Sequence, residues 1–204
     1  MRHNDFVFRK MKEQMRNFLK SDKTSIENVS RAGLVISRVT IGILWFAQLF
    51  WKLPPTFGCP PHFAVTTDLS SRSTGLCDWV GLMTLYSRWP LHASLVKSLV
   101  VPNLAWMGWI IFLMEAFVAV SLILGLFTRL GGVVALLQAI NLYIGVSAVP
   151  GEWPWTYIML AILGLIFLAI PAGRILGLDA WLRPRLQSGA ESGNRLTKIL
   201  LSLT

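Results

Sequence analysis

Charge is what this chain has least of. Only 14% of its 204 residues are Asp, Glu, Lys or Arg, against roughly 25% in a soluble domain. Together with 54% hydrophobic residues and a mean hydropathy of +0.57, this excludes an ordinary soluble globular protein. It also leaves no stretch able to form a second, soluble domain. Cysteine and histidine are scarce as well, with two and three residues. Cys59 and Cys77 are too few and too far apart for a zinc or haem motif, and His3, His62 and His92 fall outside the long apolar runs. There is no metal-ligand spacing and no Gly-rich phosphate loop, so no metal and no covalently bound cofactor is implied. The N-terminal stretch does not read as a signal peptide either. The basic region at the start is too long, and no short apolar core ends in small residues near position 25.

What charge there is lies at the ends. The net charge of +9 invites a nucleic-acid reading, but nine of the nineteen Lys and Arg lie within Met1–Arg38 and five follow Pro171. Basic ends around apolar spans mark cytoplasmic segments. The partner this pattern predicts is a lipid bilayer and not a nucleic acid.

Residues 1–31 form a basic N-terminal segment. Phe8, Met11, Met15 and Phe18 recur at helical spacing over residues 2–20, among Arg9, Lys10, Lys12, Arg16 and Lys20. That is an amphipathic helix suited to an anionic leaflet, or else a solvated arm that docks on a partner subunit. Thr24-Ser25-Ile26-Glu27 matches a capping box. Residues 32–182 form the membrane domain, with spans at about 32–53, 104–127, 131–149 and 154–171, each near the ~20 residues a bilayer requires. Pro54-Pro55 ends the first span, because proline removes a donor and clashes with a continuing helix. Residues 54–103 read as an outer loop, with short helices lying on the outer leaflet between Trp79 and Val101. Residues 183–204 are a basic cytoplasmic tail. The predicted fold is all-α, a polytopic four-helix membrane bundle with both termini cytoplasmic.

Three motifs in order carry a resemblance. They are Arg38-x3-Gly42 followed by Trp51-Lys52-Leu53; Glu115 with Leu124-Gly125-Leu126-Phe127-Thr128-Arg129; and Ala172-Gly173-Arg174-Ile175-Leu176-Gly177-Leu178-Asp179. They resemble the signatures of the DoxX/DoxD family of small membrane proteins over about Arg31 to Leu182, except that Gly177 stands where serine is usual. The resemblance implies a compact four-helix membrane protein. It also implies an association with quinone-linked redox chemistry, as in the DoxD-type subunit of a thiosulfate:quinone oxidoreductase, with a bound quinone as the cofactor and other membrane subunits as partners. The location implied is a bacterial or archaeal cytoplasmic membrane.

Candidate chemistry rests on a few polar residues at membrane depth, where an ionisable group is costly. Glu115 is the candidate proton relay, with Arg38, Gln48, Gln138 and Asn141 as candidates for holding a quinone headgroup. The alternative for Glu115 is a residue that only fixes helix register. Counted from the cytoplasmic ends at ~1.5 Å per residue, Glu115 and Asn141 stand at similar depth and Arg38 well below them. A direct Glu115–Arg38 pair is therefore disfavoured. Lys52, at the far end of the first span, reads as a side chain that snorkels to the interface. The small stripe Gly131, Ala135 and Ala139 suits close helix packing. Cys59 and Cys77 read as a disulfide closing the outer loop, with a thiol that takes sulfur from thiosulfate as the sharper alternative. The second functional reading is a non-catalytic accessory subunit that stabilises a larger respiratory or photosynthetic assembly. A transporter is disfavoured, since no internal repeat or broken helix is evident.

Overall fold

The computed structural model describes residues 26–71 and 75–204. The amphipathic helix expected over residues 2–20 and the Thr24-Ser25 start of the capping box lie outside them. The chain divides into two units, Met1–Ser37 and Arg38–Thr204. Of the first, the described part Ile26–Ser37 is helical and mostly exposed. The second unit carries the remainder of the fold.

The described residues are helical with no strand. Helix α1 is Ile26–Lys52, α3 is Pro90–Leu124 and α4 is Thr128–Val146, and all three are long and apolar enough to cross a membrane. Between the first two lies α2, Leu76–Tyr86. After α4 come α5, Pro154–Ala169, α6, Leu178–Glu191, and α7, Arg195–Leu203. The apolar helix α5 has 16 residues, short of the ~20 a bilayer asks for. The expected basic tail is thus mostly helical, with Asn194 accepting from the Leu196 N–H at the start of α7.

The expected outer loop departs furthest from the structure. The sequence places the end of the interfacial helices at Val101 and the start of the second span at 104, yet α3 runs from Pro90 through Pro102 without a break. Proline at 102 removes one backbone donor and crowds the preceding turn. The chain absorbs this by widening to a π-helix over Val96–Val100 and tightening to a 3-10 turn over Val101–Asn103, a local adjustment that keeps the helix going. Trp79 to Tyr86, expected on the leaflet surface, belongs to α2. That helix buries Leu76, Cys77, Val80, Leu82 and Met83 against Val96, Leu104, Val146 and Val149. Phe57 joins this core fully buried, its ring filling the space above Gly108 on α3. Cys59 and Cys77 are joined by a disulfide, and the Leu76 N–H donates to the Phe57 carbonyl at 3.0 Å. Together these tie the segment after α1 to the first turn of α2.

Helices α4 and α5 touch backbone to backbone. A Cβ on Gly132 would lie 2.5 Å from the Leu168 nitrogen, and one on Gly164 would lie 2.7 Å from the Leu136 nitrogen, the close approach that small residues permit in lipid. The neighbouring stripe Gly131, Ala135 and Ala139 is buried, with Gly131 facing Ser121 of α3.

Candidate functional site

Helices α1 to α5 surround a cavity of about 540 Å³, within the ~300–1,000 Å³ usual for ligand sites. Its walls are mainly apolar, with Trp45, Trp51, Trp79, Met83 and Met107 among them. Gln48, Glu115, Gln138 and Asn141, four of the five polar candidates, line it. Arg38 does not.

A residue that reads as interfacial in the sequence completes the site. Lys52 is only 4% exposed and forms an ion pair with Glu115, also 4% exposed. The Lys52 ammonium lies 4.3 Å from the centroid of the Trp51 ring, a cation–π position. Trp51 in turn donates from its indole N–H to Gln48 at 3.0 Å. Asn141, which the sequence places at a depth similar to Glu115, meets His92 of α3, with Oδ1 3.1 Å from His92 Nε2. The sequence alone puts His92 outside the spans, but the continuity of α3 carries it to the side of α4. Tyr157 of α5, also on the lining, donates to Glu152 at 2.8 Å.

Arg38 belongs to a different structure, at the end where α3 turns into α4. It is 1% exposed and donates to the Leu176 carbonyl at 3.1 Å and the Ala172 carbonyl at 3.5 Å. Gly125 ends α3 in the left-handed conformation, φ 66°, where glycine carries no steric penalty. A Cβ there would also fall 1.8 Å from Arg38 Nη1. Asp179 caps the start of α4: it accepts from the Phe127 N–H at 2.7 Å, the Thr128 N–H at 3.1 Å and the Thr128 hydroxyl at 2.9 Å. That satisfies N–H groups which would otherwise be orphaned and sets a negative charge at the positive helix end. The Asp179 N–H closes the loop on the Gly125 carbonyl at 2.8 Å, and the Gly173 N–H donates to Thr128 at 3.1 Å. Nearby, burial together with the Arg183 and Arg129 guanidiniums lowers the pKa of Arg174 from its ordinary value, against the pull of Asp179. The Leu124–Arg129 turn of the second sequence motif and the third motif are therefore one structural lock.

The lock also explains how Lys52 reaches Glu115. The Arg38 guanidinium reaches Gly125, and one turn on, Gly42 packs against Ile123, so depth along α1 counts from about Arg38 and not from Ala32. At ~1.5 Å per residue, Lys52 stands about 21 Å above Arg38, and Glu115 about 15 Å above Gly125. The lysine side chain covers the difference. The same count separates Arg38 from Glu115, and the two form no pair.

These features define an integral membrane protein of packed helices around an apolar cavity that contains one buried ion pair. Residues 69–204 match the family model described as "TQO small subunit DoxD", about two-thirds of the chain. The chain belongs to the DoxD family and is a small membrane subunit of a quinone oxidoreductase. No curated protein and no solved structure matches it.

Proposed function

We propose that this chain is the quinone-binding subunit of a thiosulfate:quinone oxidoreductase. In this reading α1, α3, α4 and α5 are four spans of a bundle in a bacterial or archaeal cytoplasmic membrane, both termini are cytoplasmic, and electrons arrive from thiosulfate through partner subunits. The observation that carries the reading is the cavity: apolar walls, two amides, and the Lys52–Glu115 pair on one lining. A quinone is an apolar ring whose carbonyl oxygens accept hydrogen bonds, and its reduction takes up two electrons and two protons. Lys52 supplies an N–H donor and a proton at a carbonyl oxygen, and the Glu115 carboxylate beside it relays a proton back to the lysine. Gln138 and Asn141 orient the ring, while the tryptophans and methionines exclude water. Arg38 has a fold-holding role at the lock.

The test is thiosulfate-driven reduction of a short-tailed ubiquinone by membranes containing the assembled complex. Glu115→Gln and Lys52→Met should each lower the rate by about 100-fold or more, the range of a lost acid–base group, with assembly retained. Full rates in both variants, with a complex that falls apart when this chain is deleted, would favour the accessory-subunit reading.

A further inference from the structure

Asn141 presents two faces with different chemistry, and what decides between them lies outside the cavity. Its Oδ1 meets His92 Nε2 at 3.1 Å, while Ser87 Oγ meets His92 Nδ1 at 2.9 Å. The Ser87 hydroxyl has one proton and three acceptors in reach, of which His92 Nδ1 at 2.9 Å is nearer than the Trp89 and Ile144 carbonyls at 3.2 Å; with that proton directed to Nδ1, the proton of a neutral His92 is on Nε2. With a protonated imidazole, Nε2 carries one as well. In both states Nε2–H donates to Asn141 Oδ1, so the Asn141 amide is turned with its NH₂ group away from His92. Among the described residues nothing accepts from that NH₂ group, and Asn141 lines the cavity.

The ring is held tightly enough to do this. Ser87 Oγ is also 3.2 Å from the Ile144 carbonyl of α4. The Arg88 N–H donates to that same carbonyl at 2.9 Å, and its guanidinium donates to Ser147 Oγ at 2.6 Å. The turn between α2 and α3 is thereby clamped to α4. Gly145 lets the ring approach: a Cβ there would lie 3.1 Å from His92 Cε1 and 3.0 Å from Met83.

We propose that His92 is a positioning residue for the cavity: by fixing the Asn141 amide it presents an N–H donor that selects a ligand with a carbonyl acceptor at that place. The inference rests on the quinone reading of the cavity, and one experiment separates the two. A short-tailed ubiquinone is titrated into the full chain in detergent and binding is read from quenching of the cavity tryptophans, Trp45, Trp51 and Trp79. Glutamine places an amide N–H near where Nε2 was, whereas asparagine reaches only the Nδ1 position. His92→Gln should therefore stay within about threefold of the wild type, and His92→Asn should weaken binding about tenfold, the scale of one lost hydrogen bond. Asn141→Asp keeps the acceptor for His92 but removes the donor toward the cavity, so it should weaken binding as much, and it carries the test if His92→Asn does not fold. A rescue by glutamine but not asparagine is not what a merely structural histidine gives. Equal affinities of wild type, His92→Asn and Asn141→Asp overturn the role of His92. No saturable quenching in the wild type overturns the quinone reading itself, and this inference with it.

Discussion

Lys52 and Glu115 are each nearly sealed from solvent, and burying a charge is tolerable only with a partner. Removing one partner strands the other, at a cost of about 3–5 kcal/mol, whereas replacing both with apolar residues of similar size is often neutral or stabilising. Thermal unfolding in detergent should therefore show Lys52→Met and Glu115→Leu each lowering stability, with the double variant recovering most of the loss. If the pair exists for function, that recovered double variant should still fail to reduce quinone. A double variant as unstable as the singles would contradict this ion pair. Gly177 offers a second residue-level test. Serine is usual there in the resembling family, but a Cβ at 177 would lie 2.4 Å from Arg38 Nη1 and 2.5 Å from the Gly173 carbonyl. Gly177→Ser should lower the unfolding temperature, and an unchanged value would mean that Arg38 is free to move aside.

Among the elements, the lock at the Gly125 turn couples α1, α3, α4 and the start of α6 through Arg38 and Asp179. Losing a helix cap costs about 0.5–2 kcal/mol, and Asp179→Ala also removes a carboxylate that attracts the buried Arg38, so it should destabilise more than a cap alone. Quinone affinity of the surviving fold should be unchanged, because the lock and the cavity share no residue. At the other end, the Cys59–Cys77 bridge closes a loop with a sequence separation of 18. Loops of this size are typically worth about 3 kcal/mol when cross-linked. A double Cys→Ser variant should unfold at lower temperature, and a mass measurement with and without reductant checks the bridge. How far these elements could be read from the sequence follows from their physics. Apolar runs and turn residues revealed α1, α3, α4 and α5, since hydropathy is a local property. The continuity of α3 through Pro102 was hidden, because a proline that is absorbed by a π-turn looks like one that ends a helix. The depth of Lys52 was hidden too. α1 is apolar well before Arg38, so nothing local marks where its counting should start, and only the contact between Arg38 and the Gly125 turn sets it. Of the motifs that carry the family resemblance, Arg38, the Leu124–Arg129 turn and the closing stretch proved to be the lock, Trp51, Lys52 and Glu115 line the cavity, and most of the remaining lining lies outside any motif.

For the molecule as a whole, the proposed bundle requires both termini on one face of the membrane, with the disulfide on the opposite face. Reporter fusions at the N- and C-terminus should respond as cytoplasmic, and a single cysteine placed at Gly151 should be labelled only from the other side. A terminus found opposite the other would remove α5 as a fourth span. The DoxD assignment fixes the family, and the cavity is what the proposal adds to it. The most direct measurement is photolabelling of the assembled complex with an azido-quinone, followed by peptide mapping. Labels are expected on α1 between Ile41 and Lys52, on α3 between Met107 and Glu115 and on α4 between Gln138 and Val146, all lost when unlabelled quinone competes. Labels confined to outward faces such as Ile36, Leu137 and Ile162, and unaffected by competition, would contradict a quinone site in this cavity.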